Sequence, residues 1–520
     1  MALCYKSNNS LCDYKKSMTF ESITKKSRHS SQSMKIINDP VHGQIALHPV
    51  CIAIIDTPQF QRLRNIKQTG FLEYVYPGAT HNRFNHSLGV CFLAGKFAQE
   101  LREKQPELCI SDIDVLCIEL AGLCHDLGHG PFSHTWERFV NIVSRKKNLG
   151  KVWKHEIVSA NMIDYLIEEN NLYPLLNSYG IGPEEINLVK DYIIGTKPTD
   201  PNRAFLHQIV NNDDSGLDVD KWDYFLRDCH YLGLPCNFEY ERLIQFATVL
   251  PVGGKFQICF RDKVLESVYN VFRTRSNLHR MAYQHKILTT IERMIIDALI
   301  LSDGKCFGPS GEVLQFWNWS IAAAQPLSEG LQDFLKKYCI LTDEVVFSSM
   351  KFSPEQSVKP ASNIIEAIER RSCKDCGFYK HIGMKILPHY ISEREIHHGI
   401  TSFLLSANEA VMQSIINSDP SKENLNLTDC NFLKPDDICV SVLSINWGKK
   451  DKNPVDSVHF YSKNLVLTKN FFETSALLPK SFEEIQAHVI CRRNDPFAIQ
   501  VARRCLDKFF NFFHANGNGK

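Results

Sequence analysis

At 520 residues with 44% hydrophobic content, the chain is too long for one ordinary core, so two lobes are expected. Its 59 Lys and Arg nearly cancel its 58 Asp and Glu, giving a formal charge of +1. That balance argues against an obligate nucleic-acid coat or a polybasic membrane anchor, while leaving room for a local basic pocket. Met1–Ser33 lacks the apolar core of a signal peptide, and no stretch is long enough to span a bilayer. The 18 cysteines are scattered, several in apolar segments (Cys91, Cys117, Cys229), as befits reduced thiols of an intracellular protein in nucleus or cytoplasm.

Taken in order, Met1–Ser33 is rich in Ser, Lys and Asn and is expected to be a mobile tail. Lys25-Lys26-Ser27-Arg28 reads there as solvated chain more readily than as a nuclear-import patch. Order is expected from Lys35. From there to about Asp303 the pattern is helical, with loops at Asn38-Asp39-Pro40, Pro77-Gly78, Gly128–Pro131 and Gly180–Pro183. Leu88, Phe92, Ala98 and Leu101 mark one amphipathic helix; Ile113, Leu116, Leu120 and Leu123 mark another. Leu250–Arg261 alternates like a hairpin, and Val264–Leu301 reads as one long helix. Cys373-Lys374-Asp375-Cys376 has no second pair at zinc-ribbon spacing and reads as a surface loop. Asp437–Trp447 and Val455–Tyr461 read as two strands around a Gly/Lys/Asn turn, before a closing helix from about Pro496. The expectation is a mainly α protein: a tail (1–34), a helical catalytic lobe (35–303) and a smaller α+β C-terminal lobe (304–520).

The apolar run Val115–Cys124 ends at His125-Asp126, inside a ten-residue stretch that also holds His129 and His134. A buried carboxylate beside a buried imidazole needs a partner, and a divalent metal is the most economical one. With His86 and Asp220 the set becomes two imidazoles and two carboxylates, suited to Zn, Fe, Mn or Mg and to Lewis-acid chemistry on phosphate esters. On the helical wheel of 216–233, Asp220, Tyr224 and Asp228 share a face flanked by Lys221 and Arg227, opposite Val219, Trp222, Phe225, Leu226 and Cys229. A solvated stripe with a salt bridge is the plain alternative for such a face. Arg275, His279 and Tyr283 recur every four residues, with Lys286 one turn on, a stripe that can bind polyphosphate and bracket a sugar or can simply be an exposed basic face. His129, His134 and His155 supply acid–base groups, and Arg83 can clamp a phosphate oxygen. A P-loop, a nucleophile elbow and a kinase signature set are all absent.

His86…His125-Asp126…Asp220 resembles the H…HD…D pattern of the HD-domain phosphohydrolase superfamily. Asn38–Gly43, Asp56–Arg64, Ala121–His134 and Asp218–Asp228 narrow the resemblance to deoxynucleoside triphosphate triphosphohydrolases of the SAM-and-HD-domain type, from about Lys35 into the C-terminal lobe. Only a short tail precedes Lys35, so the expectation is a homologue or isoform without the SAM domain.

The resemblance implies hydrolysis of a dNTP to deoxynucleoside and triphosphate, lowering dNTP pools, with a role in innate immunity and antiviral defence. By position, His86, His125, Asp126 and Asp220 would hold the metal, with Mg accompanying the nucleotide phosphates. His155 would protonate the 5′-oxygen, supported by Glu137 where the family pattern has aspartate, and His129 and His134 would meet the α-phosphate and attacking water. Arg83, Lys221, Tyr224, Asp228, Arg275, His279 and Tyr283 would hold triphosphate and sugar, with Gln68 near the 3′-hydroxyl. Thr69 stands where a leucine is expected, which weakens exclusion of ribonucleotides. A homotetramer assembled by nucleotides is implied as well: Lys35, Ile36, Asp56, Gln61 and Arg64 match a GTP site. Arg242, Arg261, Lys263, His285 and Lys286 match a dNTP activator site, with Arg371 and Lys380 as C-terminal contacts. Ser267 replaces an asparagine there and Met281 an arginine. Weak binding of single-stranded nucleic acid is a further expectation. The rival readings are an HD phosphodiesterase or nuclease acting on another phosphate ester, and a non-catalytic nucleic-acid or partner-binding scaffold.

Overall fold

An antiparallel hairpin precedes the helices: β1 (Lys35–Asp39) and β2 (Gly43–Leu47) pair with Asp39 opposite Gly43 across the turn. The computed structural model describes residues 34–150, 152–326, 330–371, 377–418, 432–464, 467–468 and 479–515. The Met1–Ser33 tail with its Lys25–Arg28 patch and the Cys373–Cys376 pair lie outside the described residues.

The N-terminal half is built from α1 (Pro49–Ile55), α2 (Arg83–Lys104), α3 (Asp112–Cys124), α4 (His134–Lys146), α5 (His155–Glu169), α6 (Pro183–Ile194), α7 (Ala204–Val210) and α8 (Val219–Leu232). Local chemistry sets their ends. Asn82 caps α2 by accepting from Asn85 N, Ser111 and Asp114 form a reciprocal capping box on α3, and Asp218 caps α8 by accepting from Lys221 N. Gly233 ends α8 in the left-handed conformation, with its N–H on Cys229 and His230 carbonyls. Helix α2 packs along α3 and α8, and α3 against α6. Leu88, Ala98, Leu101, Leu116, Leu120 and Leu123 are buried as their spacing implies, whereas Ile113, in the first turn of α3, is an exposed position.

The segment expected as one helix over Val264–Leu301 is broken. Helix α9 (Leu265–Leu278) passes into a π-turn over His279–Tyr283, and α10 (Lys286–Ser302) starts anew. His285 causes the restart: it is extended (ψ 131°) and its Nδ1 accepts from Ile287 N, capping α10. The hairpin foreseen at Leu250–Arg261 is present as β3 (Ala247–Val252) and β4 (Lys255–Arg261).

Helices α11 (Phe316–Ala323), α12 (Leu331–Ile340), α13 (Asp343–Lys351) and α14 (Lys359–Arg370) join the same large core as the N-terminal helices. A second core lies between the sheet of β5 (Lys380–Leu387), β6 (Ile438–Asn446) and β9 (Glu483–Cys491) and helices α15 (Glu393–Thr401), α16 (Leu404–Ser418) and α17 (Pro496–Ala515). The closing helix starts at Pro496 as expected. The two strands expected to pair with each other do not. β6 pairs with β9, whereas β7 (His459–Tyr461) leaves that sheet and runs parallel to β4, with β8 (Leu467–Thr468) beyond it. A short 3-10 turn at Pro454–Ser457 separates them, so the chain crosses to the other sheet instead of folding back. The architecture is mainly α, a helical lobe with a smaller α+β portion. Among the described residues no helix is long and apolar enough to cross a membrane.

Candidate metal centre and catalytic cleft

Three helices converge on the quartet. His86 lies in the first turn of α2, His125 and Asp126 follow α3, and Asp220 opens α8. His86 Nε2 is 3.0 Å from Asp220 Oδ1 and 3.6 Å from Asp126 Oδ2. His125 Nε2 is 3.4 Å from Asp220 Oδ1 and from Asp126 Oδ1, and 3.2 Å from His86 Nε2. The rings are oriented from behind: His86 Nδ1 meets Asp223 Oδ2 at 2.7 Å, and His125 Nδ1 meets the Gly122 carbonyl at 2.8 Å. A carbonyl only accepts, and so does an ionised carboxylate. Each Nδ1 therefore carries a proton, and each Nε2 turns its lone pair inward.

Two lone pairs 3.2 Å apart beside two carboxylates repel unless a cation lies among them. The donor atoms of His86, His125 and Asp220 lie within 4.8 Å of one another, so the set fits a divalent ion held by nitrogen and oxygen. The local field agrees. Burial lowers the His86 imidazole, but Asp220, Asp223 and Asp126 outweigh it and push it up to about 10. Such a pocket draws positive charge, as a proton or as a metal ion. Asp220, with a side chain 31% exposed against 1% for His86, marks the open side.

Asp126 also anchors the neighbouring side chains. Despite burial, Arg83 and His125 hold its carboxyl well below the usual range; Arg83 Nη1 is 2.5 Å from Oδ2. Asp126, His129 and His155 form a second close cluster, yet the Arg83 guanidinium already takes a cation's place there. His129 is pushed well below the ordinary imidazole range by burial, then by Arg83 and His155, so it is neutral. Its ring stacks on His155 with centroids 3.7 Å apart. Gly128 permits this approach, because a Cβ there would lie 2.3 Å from the His155 carbonyl oxygen. Glu137 bridges outward, 3.4 Å from His134 Nδ1 and 3.7 Å from His155 Nδ1; although burial opposes it, these histidines keep its carboxyl low. Phe132 and Ser133 both have positive φ (60° and 55°) just before His134, strain of the kind that collects at functional sites. Ser133 Oγ offsets it by donating to the Lys67 carbonyl (2.6 Å) and accepting from Arg83 Nε (2.9 Å).

The polar face of α8 opens onto the same cleft. Tyr224 OH accepts from Arg275 Nη1 at 3.2 Å, and Asp228 takes the Tyr283 hydroxyl and His81 Nε2, the latter at 2.6 Å. Lys221 Nζ is 2.5 Å from Asp218 Oδ2. His279 makes an edge contact with Tyr283, and burial followed by Arg275 and His134 lowers it to about 3, so it faces the cleft neutral. Gln68 Oε1 and Thr69 Oγ1 are buried with no partner among the described residues.

The residues matched to activator sites fall on separate elements. Lys35 and Ile36 are exposed on β1. Asp56 ends α1 near Gln61, whose Oε1 accepts from Arg64 Nε at 2.7 Å. Arg242 and Lys263 flank the Phe246 ring, at 5.5 and 3.6 Å from its centroid, and Arg261 lies 5.8 Å from that of Tyr461. His285 and Lys286 open α10, Lys380 opens β5, and Arg371 donates to the Tyr74 carbonyl at 2.7 Å.

Arg227, expected on the rim of the charged face, is instead fully buried, forked onto Asp223 and bonded to Asp39 at 2.9 Å, because the N-terminal hairpin covers that side of α8. Sequence reasoning passed over Asp223, His42 and His81. The signals were there: His42 lies in the Asn38–Gly43 word, and Asp223 and Arg227 are an i,i+4 pair of opposite charge.

The HD domain model matches residues 83–194, which hold His86, His125 and Asp126 but stop short of Asp220. The deoxynucleoside triphosphate triphosphohydrolase SAMHD1 of Homo sapiens is 40% identical over 505 residues, covering 92% of this chain and 74% of that protein. The Gallus gallus protein of that name is 40% identical over 504 residues, with 92% and 75% covered. A SAMHD1 homolog from Dictyostelium discoideum is 33% identical over 488 residues, covering 93% of this chain and 82% of its own length. A likeness of this depth, running across both the quartet and the C-terminal sheet, places the chain in the SAMHD1 family of HD-domain hydrolases.

Proposed function

We propose that this protein hydrolyses deoxynucleoside triphosphates to deoxynucleoside and inorganic triphosphate. The observation that carries the reading is the convergence, around Asp126, of a metal-fitting His/Asp set with a stacked His129–His155 pair. The SAMHD1 proteins are named for that reaction. His86, His125, Asp126 and Asp220 would hold a Zn, Fe or Mn ion; when bound, it supplies Lewis-acid polarisation at the α-phosphorus. Arg83, Lys221 and Arg275 neutralise phosphate charge, with Mg accompanying the distal phosphates. His129, kept neutral, accepts hydrogen bonds from the water side. His155 delivers a proton to the 5′-oxygen as its bond to phosphorus breaks, and Glu137 steadies it. Exposed His134 approaches the α-phosphate from the rim. Tyr283, fixed by Asp228, and Gln68 bracket the deoxyribose.

The matched residues on β1, just after α1, at the start of α10 and around Phe246 are assigned to GTP and dNTP activators that join subunits into a tetramer. The C-terminal portion provides regulatory and assembly contacts. The free thiols of the described cysteines support a reducing, intracellular setting. The deciding assay is chromatography of products from each dNTP, with and without GTP, across a panel of divalent metals. Triphosphate release supports the reading, and monophosphate or pyrophosphate release refutes it in favour of another phosphate-ester reaction.

A further inference from the structure

Asp223 accepts hydrogen bonds from three side chains while facing away from the substrate cleft. Its Oδ2 takes His86 Nδ1 at 2.7 Å and Arg227 Nε at 2.9 Å; its Oδ1 takes His42 Nε2 at 2.6 Å and Arg227 Nη2 at 2.9 Å. Those donors fill the lone-pair positions of a carboxylate, so the group cannot rotate and His86 meets a fixed acceptor. The third nitrogen of Arg227, Nη1, donates to Asp39 Oδ2 at 2.9 Å. Asp39 Oδ1 in turn accepts from Val41 N and His42 N, at 2.9 Å each. The β1–β2 turn is thus joined through buried charge to a candidate metal ligand.

His42 has little else to do. Its Nδ1 is buried without a partner among the described residues, and its ring packs 5.5 Å from Phe92 and from Tyr240. Leaving a buried nitrogen unmet is unfavourable, so the bond to Asp223 is what accounts for an imidazole at this position.

We propose that Asp223 is a positioning residue that holds His86 in its metal-facing tautomer, and that His42, brought in by the N-terminal hairpin, holds Asp223 in turn. Docking of the hairpin and retention of the metal are then one linked equilibrium. The same hairpin carries Lys35 and Ile36. Resting on the activator reading given above, guanine nucleotide bound at β1 therefore tightens the metal site.

The test loads the full chain with Mn and follows metal loss into excess chelator by atomic emission, without substrate. His42→Ala is expected to lose Mn roughly tenfold faster, in line with removal of outer-shell support. His42→Gln, which restores a donor toward Asp223, should return retention close to that of the parent. Asp223→Asn strips buried Arg227 of its counter-charge and endangers folding, so the His42 pair carries the test. Parental retention in His42→Ala, or equal loss in both His42 variants, overturns the proposal. GTP should slow Mn loss in the parent and not in His42→Ala. If GTP changes neither while His42→Ala still sheds Mn quickly, the activator reading falls and the positioning assignment stands.

Discussion

Gly89 lies inside α2, where intrinsic propensity alone says that alanine should stabilise the helix by about 1 kcal/mol. The tertiary structure reverses the sign. A Cβ on Gly89 would stand 1.8 Å from Asp223 Oδ1 and 2.5 Å from Arg227 Nη2. Neither group can retreat, because Asp223 is held by His42, His86 and Arg227, and Arg227 by Asp39. The pair must separate, and breaking a buried ion pair costs about 3–5 kcal/mol, leaving Gly89→Ala destabilised by about 2–4 kcal/mol after the helical gain. Gly95, less than two turns along the same helix, is the comparison. Its Cβ would lie 2.4 Å from Glu119 Oε1 and 2.8 Å from Glu119 Cγ, so one side chain must turn aside but no buried ion pair has to part. Gly95→Ala should therefore cost less than Gly89→Ala. Urea unfolding followed by tryptophan fluorescence reads both. The Gly89→Ala midpoint should fall further than the Gly95→Ala midpoint; a rise for Gly89→Ala would refute the claim that the Asp223 network is immobile.

Three further outcomes follow from the cleft and its surroundings. His125→Ala should lose bound metal in elemental analysis and leave no detectable triphosphate release, whereas retained metal would take His125 out of the ligand set. Thr69 offers a buried hydroxyl to whatever sits beside Gln68, so Thr69→Leu should lower the ratio of NTP to dNTP hydrolysis; an unchanged ratio removes Thr69 from sugar selection. Burial pushes Glu119 up to about 7 from 4.5. The unfolded chain then releases that proton first, so stability contributed by the protonated form is full below pH 4.5 and is lost as pH rises to about 7. Relative to Glu119→Gln, the parent should lose at most about 3 kcal/mol across that window and no more above it; parallel pH profiles would contradict the shift.

Several features were legible in the sequence because short-range rules decide them. The ends of α2, α3 and α8 follow from Asn82, Ser111 and Asp218 capping their own first turns. The His125-Asp126 word, the shared face of Asp220, Tyr224 and Asp228, and the Gly253-Gly254 hairpin are periodic or local patterns of the same kind. The break at His285 was not legible. A helical pattern runs across it, and only a side-chain cap on Ile287 and the π-turn before it divide α9 from α10. Nor was the crossing of β7 to β4, since a strand's own residues do not say which edge will pair with it.

The sequence by itself determined which groups are present: two imidazoles and two carboxylates apt for a hard or borderline cation, and further histidines and cations for which proton transfer and phosphate binding are proposed. Tertiary structure alone decided which nitrogen of each histidine points inward, that Arg227 is a buried strut instead of a rim charge, and that a hairpin some 180 residues away in sequence reaches Asp223 through His42. The physical reason is one of range. Propensity, capping and periodicity act over a few residues, whereas hydrogen-bond saturation of a buried carboxylate depends on groups that meet only when the core closes.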